Sequence, residues 1–345
     1  MRNALKVKLQ RRQRLARAPA TKVRIGPKRR AVRKATMKAV RIHSFGGPET
    51  LIFESAPRPV PGKGEVLIRV HAAGVNPLDV KVRDGITEAW VKHTLPLVPG
   101  WDVSGEVESR GEGVTQFVRG DEVFGRIDFS RDGAYAEYTV ARASELAKKP
   151  ESLDPLRAAA IPIAGLTAWQ ALFDVAGLTT GRKILIHRAA GGVGTFAVQL
   201  ARWAGATVIG TASGRNVEFV KNLGADEVVD YEKTRFEDVV RDADVVLDTL
   251  GGEVQDRSWG VLKKGGILVS IVSAPSERDA ASFGVRATRM MVHPDPEQLA
   301  ELAKRVVSGS LDVVIDHIFP LSEARRAHEM IQAGHVRGKL VLRID

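Results

Sequence analysis

Short runs rich in Val and Ile, with apolar and polar positions alternating, begin at Lys38. Period-two patterning predicts strands, here over Lys38–His43, Gly64–Ala73, Val103–Glu108, Glu122–Phe124 and Ala134–Val140. The Pro- and Gly-rich stretch Pro57–Gly62 and the pairs Gly120–Asp121 and Asp132–Gly133 punctuate them as turns. The expected product is a mostly β first domain over residues 37–160.

Near Pro155 the pattern changes. Strand-like Lys183–His187, Thr207–Thr211, Glu227–Asp230, Asp244–Thr249 and Gly266–Val272 alternate with helical patterns at Val193–Ala204, Val217–Leu223 and near Gln255–Leu262. Such alternation needs crossover connections, which are right-handed and produce a parallel, doubly wound sheet. The last segment reads as helix Pro296–Ser308, strand Asp312–Ile318, helix Ser322–Ala333 and a closing strand Lys339–Ile344. The fold class is therefore α/β: a parallel sheet, over about 161–309, beside a β-rich domain.

Chemistry concentrates where the strand Lys183–His187 runs into Arg188-Ala189-Ala190-Gly191-Gly192-Val193-Gly194 and then a helix. Small residues in a tight strand-to-helix turn let the backbone approach a pyrophosphate, and the helix N-terminus offers free N–H groups and positive potential. Ala189 stands where the first glycine of the usual pattern would be, so the case rests on the βαβ context, which is that of a Rossmann domain. After the second strand, a site for NAD usually carries an acid for the ribose 2′-hydroxyl. Here Thr211-Ala212-Ser213-Gly214-Arg215-Asn216 has none. Ser213 and Arg215 suit a 2′-phosphate, so NADP(H) is the expected cofactor. Leu250 and Gly251 end the fourth strand and Val272 the fifth, where ligands sit outside the carboxyl ends.

Composition narrows this further. The chain has no cysteine, which excludes disulfides, thiolate catalysis and cysteine-based zinc sites. No apolar run approaches the roughly 18–20 residues of a membrane helix. The formal charge of +11 is local: residues 1–36 hold 14 Lys or Arg and no acid, leaving 38 basic against 41 acidic side chains in 37–345. That segment has too little apolar surface to offset its ordering entropy and is expected to be disordered. Three readings of it stand open: an extension ahead of Met37, a solvated arm with affinity for polyanions, or an organelle transit peptide without serine. The location expected is cytoplasmic, or mitochondrial under the third reading.

In chain order, Gly74-Val75-Asn76-Pro77-Leu78-Asp79, Pro99-Gly100-Trp101-Asp102-Val103-Ser104-Gly105, Gly120-Asp121-Glu122-Val123, Gly133-Ala134-Tyr135-Ala136-Glu137-Tyr138, Gly165-Leu166-Thr167-Ala168-Trp169, the Gly191–Gly194 loop, Leu223-Gly224-Ala225-Asp226 and Gly338-Lys339 resemble the medium-chain dehydrogenase/reductase superfamily. More narrowly they resemble its quinone oxidoreductase (zeta-crystallin-like) branch, with the enoyl and alkenal reductases, over Met37–Asp345. The resemblance implies a GroES-like fold for 37–160, completed by about 310–345, with the Rossmann domain inserted and the active site in the cleft between. It also implies a homodimer paired through an edge strand at Arg286–Val292.

By the same resemblance Asn76 lies beside the nicotinamide ribose and the acceptor, where its amide can donate to a developing enolate oxygen. Thr167 hydrogen-bonds the nicotinamide side, Tyr231 flanks the 2′-phosphate, and Arg337 and Lys339 return from the C-terminus to the cofactor. Lys81 stands where several relatives carry Tyr, and it and Tyr135 are the candidate proton donors. Plainer readings stay open: a turn residue for Asn76, a solvated lysine for Lys81, a packed ring for Tyr135. Zinc-dependent members carry Cys at the position of Asn76 and His-Glu at Trp101-Asp102, so no metal is expected. His328 and His335 read as surface or core-edge histidines. Relatives usually carry Gly or Ala where Arg188 stands.

The expected activity is zinc-independent hydride transfer from NADPH to a quinone or α,β-unsaturated carbonyl, activated small-molecule acceptors that take hydride with less help from the protein. An NADP-dependent alcohol or carbonyl dehydrogenase stands as the alternative enzyme. A non-catalytic NADPH- or RNA-binding relative stands as the other class, with only the basic tail as support for nucleic acid.

Overall fold

The computed structural model describes residues 35–344; the expectation of disorder for 1–36 lies outside them except for the last two residues. The first strand, β1, covers Thr36–Arg41 and pairs antiparallel with β2, Ile52–Pro57. The sequence pattern does not reveal β2, because Ile52 and Phe53 are both exposed and no alternation marks a buried face.

The larger sheet has seven strands. Its centre is β3, Glu65–Val75, which pairs antiparallel with β4 (Asp102–Arg110) and β6 (Tyr138–Arg142). Beyond β4 come β5 (Glu122–Arg126) and β7 (Leu146–Lys148). The strand expected at Ala134–Val140 starts only at Tyr138, because Ala134 and Tyr135 donate instead to the carbonyls of Gly100 (2.6 Å) and Pro99 (3.0 Å). Between β3 and β4 a short helix, Pro77–Arg83, follows a capping box formed by Asn76 and Asp79. Its Asn-Pro-x-Asp start is an N-terminal signal, but seven residues are too few for a periodic pattern.

The second sheet is parallel. It runs β10 (Glu227–Asp230), β9 (Thr207–Ala212), β8 (Lys183–Ile186), β11 (Ala243–Asp248), β12 (Leu262–Ser270), β13 (Arg286–Arg289). Its central strands are buried on both faces, as helix-covered parallel strands are. Strand order reverses between β8 and β11, and a crevice opens at their carboxyl ends.

The closing strand ties the two sheets together. After β14 (Ile315–Pro320), the last strand β15 (Lys339–Arg343) pairs antiparallel with β3, in the first sheet. At its head Gly338 N–H donates to Ala190 O (2.9 Å), in the loop that follows β8. The C-terminal segment is thus hydrogen-bonded both to β3 and to the loop that follows β8.

One close approach tests this packing. Gly100 has φ +88°, and a Cβ there would lie 2.1 Å from the buried Tyr135 ring. Gly100→Ala is expected to cost about 2–4 kcal/mol from left-handed backbone strain and overpacking, measured as the shift of a urea unfolding curve.

Candidate active site

The loop after β8 is held open by backbone geometry. Arg188 turns through φ +54°, and Ala189 N–H donates to Thr211 O at 3.0 Å, pinning the loop to β9. Gly191 is the extended N-cap of the twelve-residue helix Gly192–Trp203. A Cβ on Gly194 would stand 2.4 Å from Arg188 O, so only glycine allows this approach. Gly191, Gly192, Val193 and Gly194 all line a cleft of about 430 Å³. A glycine-lined turn with a helix N-terminus at its end fits a dinucleotide pyrophosphate.

Arg188 occupies a left-handed backbone position, one that glycine adopts without strain. Its side chain is exposed at the cleft and lies alongside Gly191, with Cγ and Nε each 3.3 Å from where a Cβ of Gly191 would be. Gly191, Gly192 and Gly194 add no Cβ to the cradle.

Facing the loop, Asn76, Lys339 and Asp102 form one buried cluster. Asn76 Nδ2 donates to Asp102 Oδ2 at 2.9 Å, and Lys339 Nζ donates to Asn76 Oδ1. The ammonium also donates to Val75 O and lies 3.3 Å from Asp102 Oδ2. The other carboxylate oxygen, Asp102 Oδ1, accepts from Ile163 N–H at 2.8 Å. Asn76 and Lys339 still line the cleft, and Lys339 also packs beside Gly192. Thr167, Lys81, Leu250 and Val272 line the same cleft. Gly251 does not; it is a buried turn glycine whose N–H donates to Asp248 Oδ1.

Tyr135 needs correcting as a proton donor facing the acceptor. Its ring is fully buried and absent from the cleft wall. Arg83, which only donates, gives a hydrogen bond to His328 Nδ1 (3.2 Å), so His328 Nε2 carries the proton toward the Tyr135 oxygen (3.3 Å). Tyr135 OH in turn donates to Asp79 Oδ2 (2.8 Å), which also accepts Asn76 N–H (2.8 Å). The phenol therefore positions the Asn76 turn from behind. His328 is likewise not at the surface or core edge: it is fully buried, and burial beside Arg83 pushes its pKa down to about 3. Burial pushes Asp79 up to about 7 and Tyr135 well above its usual range.

A second cluster forms beyond the cleft, around 213–216. Arg337 Nε donates to Asn216 Oδ1 (3.0 Å), Asn216 Nδ2 to Ser213 Oγ (3.0 Å), and Arg215 to His335 O (3.2 Å). Among the described residues neither guanidinium has a carboxylate partner. The acid-free reading of 211–216 missed a tertiary neighbour, however: Gly214 N–H donates to Glu232 Oε2 (3.0 Å), from the turn after β10. Tyr231, about half exposed, leaves that same turn with its N–H on Ala212 O.

Two residues escaped sequence reasoning. Asp102 was read only as a missing metal ligand, and Arg126 was not singled out, although a cation inside the apolar run Val123-Phe124-Gly125-Arg126-Ile127 was a visible signal. At positions 76, 101 and 102 the donors are an amide, an indole and one carboxylate already opposed by an ammonium. Among the described residues no three His, Cys, Asp or Glu side chains converge. This donor set does not fit a zinc ion.

Two family profiles match: "Alcohol dehydrogenase GroES-like domain" over residues 62–151 and "Zinc-binding dehydrogenase" over 223–342. The quinone oxidoreductase of Sus scrofa is 36% identical over 326 residues, covering 89% of this chain and 97% of that protein. The solved quinone oxidoreductase of Coxiella burnetii is 39% identical with a TM-score of 0.85, covering 90% of this chain and all of that one. The Escherichia coli quinone oxidoreductase complexed with NADPH is 27% identical with a TM-score of 0.82, with coverage of 90% and 100%.

Two outcomes follow from the buried groups. Lys339→Met leaves Asp102 buried without its counter-charge, and about 3–5 kcal/mol of stability is expected to be lost; chemical denaturation reads this. His328, neutral when folded, contributes stability above its unfolded pKa of 6.5 that is lost as pH falls from there toward about 3. Asp79, raised from 3.8 to about 7, acts in the opposite sense, favouring the folded state at the acid end of that range. Comparing variants separates the two: the drop in melting temperature between pH 7 and pH 4.5 should be smaller in His328→Gln than in the wild type.

Proposed function

The chain belongs to the medium-chain dehydrogenase/reductase family, in its quinone oxidoreductase branch, and from that we propose an NADPH-dependent, zinc-independent reductase of quinones or α,β-unsaturated carbonyls. The observation that carries this reading is the cleft, which sets a glycine-rich helix N-terminus opposite Asn76 and Lys339 within an otherwise mostly apolar wall. When bound there, the nicotinamide supplies the hydride.

The protein's part is placement and electrostatics. Asn76 is locked by Asp102, Lys339 and the backbone bond to Asp79, leaving one amide N–H for a developing enolate oxygen. The Lys339 ammonium adds positive potential beside it. Lys81, half-buried on the wall, is positioned to deliver the product's proton. Leu250, Val272 and Ile163 give the acceptor an apolar wall. Such acceptors take hydride without a Lewis acid more readily than a simple ketone does.

The guanidiniums of Arg215 and Arg337, which have no carboxylate partner among the described residues, with Ser213 and Tyr231 nearby, support a 2′-phosphate subsite and hence NADPH. Glu232 is turned to the Gly214 N–H. The reading also includes a homodimer built on the outer edge of β13, which among the described residues pairs only with β12.

Steady-state oxidation of NADPH and NADH with a 1,4-quinone, an enone and a simple ketone tests the proposal. The quinone and enone should be reduced, and NADPH should exceed NADH in kcat/KM. Turnover of the ketone alone, or dependence on added zinc, would replace the reading with an alcohol dehydrogenase. In Arg215→Ala, KM for NADPH should rise about tenfold or more, as expected on losing a charged hydrogen bond, with KM for NADH unmoved. Equal rates with both nucleotides would overturn the cofactor assignment.

A further inference from the structure

Four Lys or Arg side chains are buried among the described residues: Arg83, Arg126, Lys149 and Lys339. Three are partnered. Arg83 pairs with Asp84 and bonds Gly46 O and His328. Lys149 bonds Leu153 O (2.6 Å) and Glu122 (2.9 Å). Lys339 is held by Asn76 and Asp102. Arg126 differs. It is 7% exposed, its Nε is sealed without a partner, and no described residue accepts a hydrogen bond from its guanidinium or places a carboxylate within ion-pair distance.

Nearby acids do not repair this. Asp102, Asp128 and Glu145 act on Arg126 only through space, while burial lowers its pKa. Asp102 is committed to Asn76, Ile163 and Lys339; Asp128 and Glu145 both face Arg142. The Phe129 ring, 5.7 Å away, offers a cation–π contact, worth less than a desolvated charge requires. A buried cation left with open donors marks a place where a ligand supplies the acceptor.

The location says which ligand. Arg126 ends β5, in register with Asp102 on β4, and it shares the strand face of Phe124. It lines the cleft together with Trp90 and Phe129. It therefore flanks the Asn76 end, on the sheet that does not carry the phosphate loop. We propose that Arg126 binds a carboxylate on the acceptor, so that the natural substrate is an α,β-unsaturated carbonyl compound that also carries an acid group. A guanidinium fork grips a carboxylate through two parallel hydrogen bonds. The assignment of this ligand as the hydride acceptor rests on the reductase reading; the carboxylate site does not.

Two measurements keep them apart. Calorimetric titration of the full chain, with and without NADP⁺, compares benzoate with benzamide. The wild type should bind benzoate at least tenfold more tightly, Arg126→Met should lose that preference, and Arg126→Lys should keep part of it. Arg126→Met should melt no lower than the wild type, since it removes an unpaired buried charge. In turnover, 4-oxo-2-pentenoate and its methyl ester are compared as acceptors. The acid-to-ester ratio of kcat/KM should fall about tenfold to a hundredfold in Arg126→Met, the range of a charged hydrogen bond. No benzoate preference in the wild type, a preference that survives Arg126→Met, or an equal loss of NADPH affinity would overturn the proposal. If neither acceptor is reduced while the benzoate preference depends on Arg126, the carboxylate site stands and the reductase reading alone fails.

Discussion

The buried Asp102–Lys339–Asn76 cluster is the interaction on which the rest of the site depends. One carboxylate receives an amide from the turn after β3, a backbone N–H from the helix start at Ile163, and an ammonium from the closing strand. Each of those elements comes from a distant part of the chain. A charge removed from water cannot be left without such partners, so the three are obliged to meet at one point. That point faces the helix N-terminus at Gly192, and the hydrogen bond from Gly338 to Ala190 fixes the gap between them.

Behind this cluster lies a second, directional one. Arg83, His328, Tyr135 and Asp79 pass hydrogen bonds in one sense, because arginine can only donate. The chain of donors ends on the carboxyl that caps the Asn76 turn. Its members are buried and do not line the cleft, so they hold the Asn76 turn in place from behind. The arrangement agrees with the general need for a site residue to be locked by groups behind it.

The cations in and around the cleft differ in how they are partnered. Lys339 is opposed by Asp102, whereas among the described residues Arg215 and Arg337, beyond the cleft, and Arg126, on its wall, have no carboxylate partner. On the reading proposed above, the open cations serve the cofactor's 2′-phosphate and an acid group on the acceptor.

Local patterning was enough to place the parallel sheet, the strand-to-helix turn at Gly191–Gly194 and the closing strand, because period-two and βαβ signals are carried by neighbours in sequence. The family order of short motifs likewise pointed to Asn76, Thr167 and Lys339. The role of Tyr135 was decided only in three dimensions, where its hydroxyl finds Asp79 and His328 rather than the cleft. So were the identity of Lys339's counter-charge, the approach of Glu232 to Gly214, and the lack, among the described residues, of a hydrogen-bond acceptor or carboxylate for Arg126. The physical reason is common to all four: pairing and desolvation depend on which groups meet across the fold, and a residue's sequence neighbours do not specify its neighbours in space.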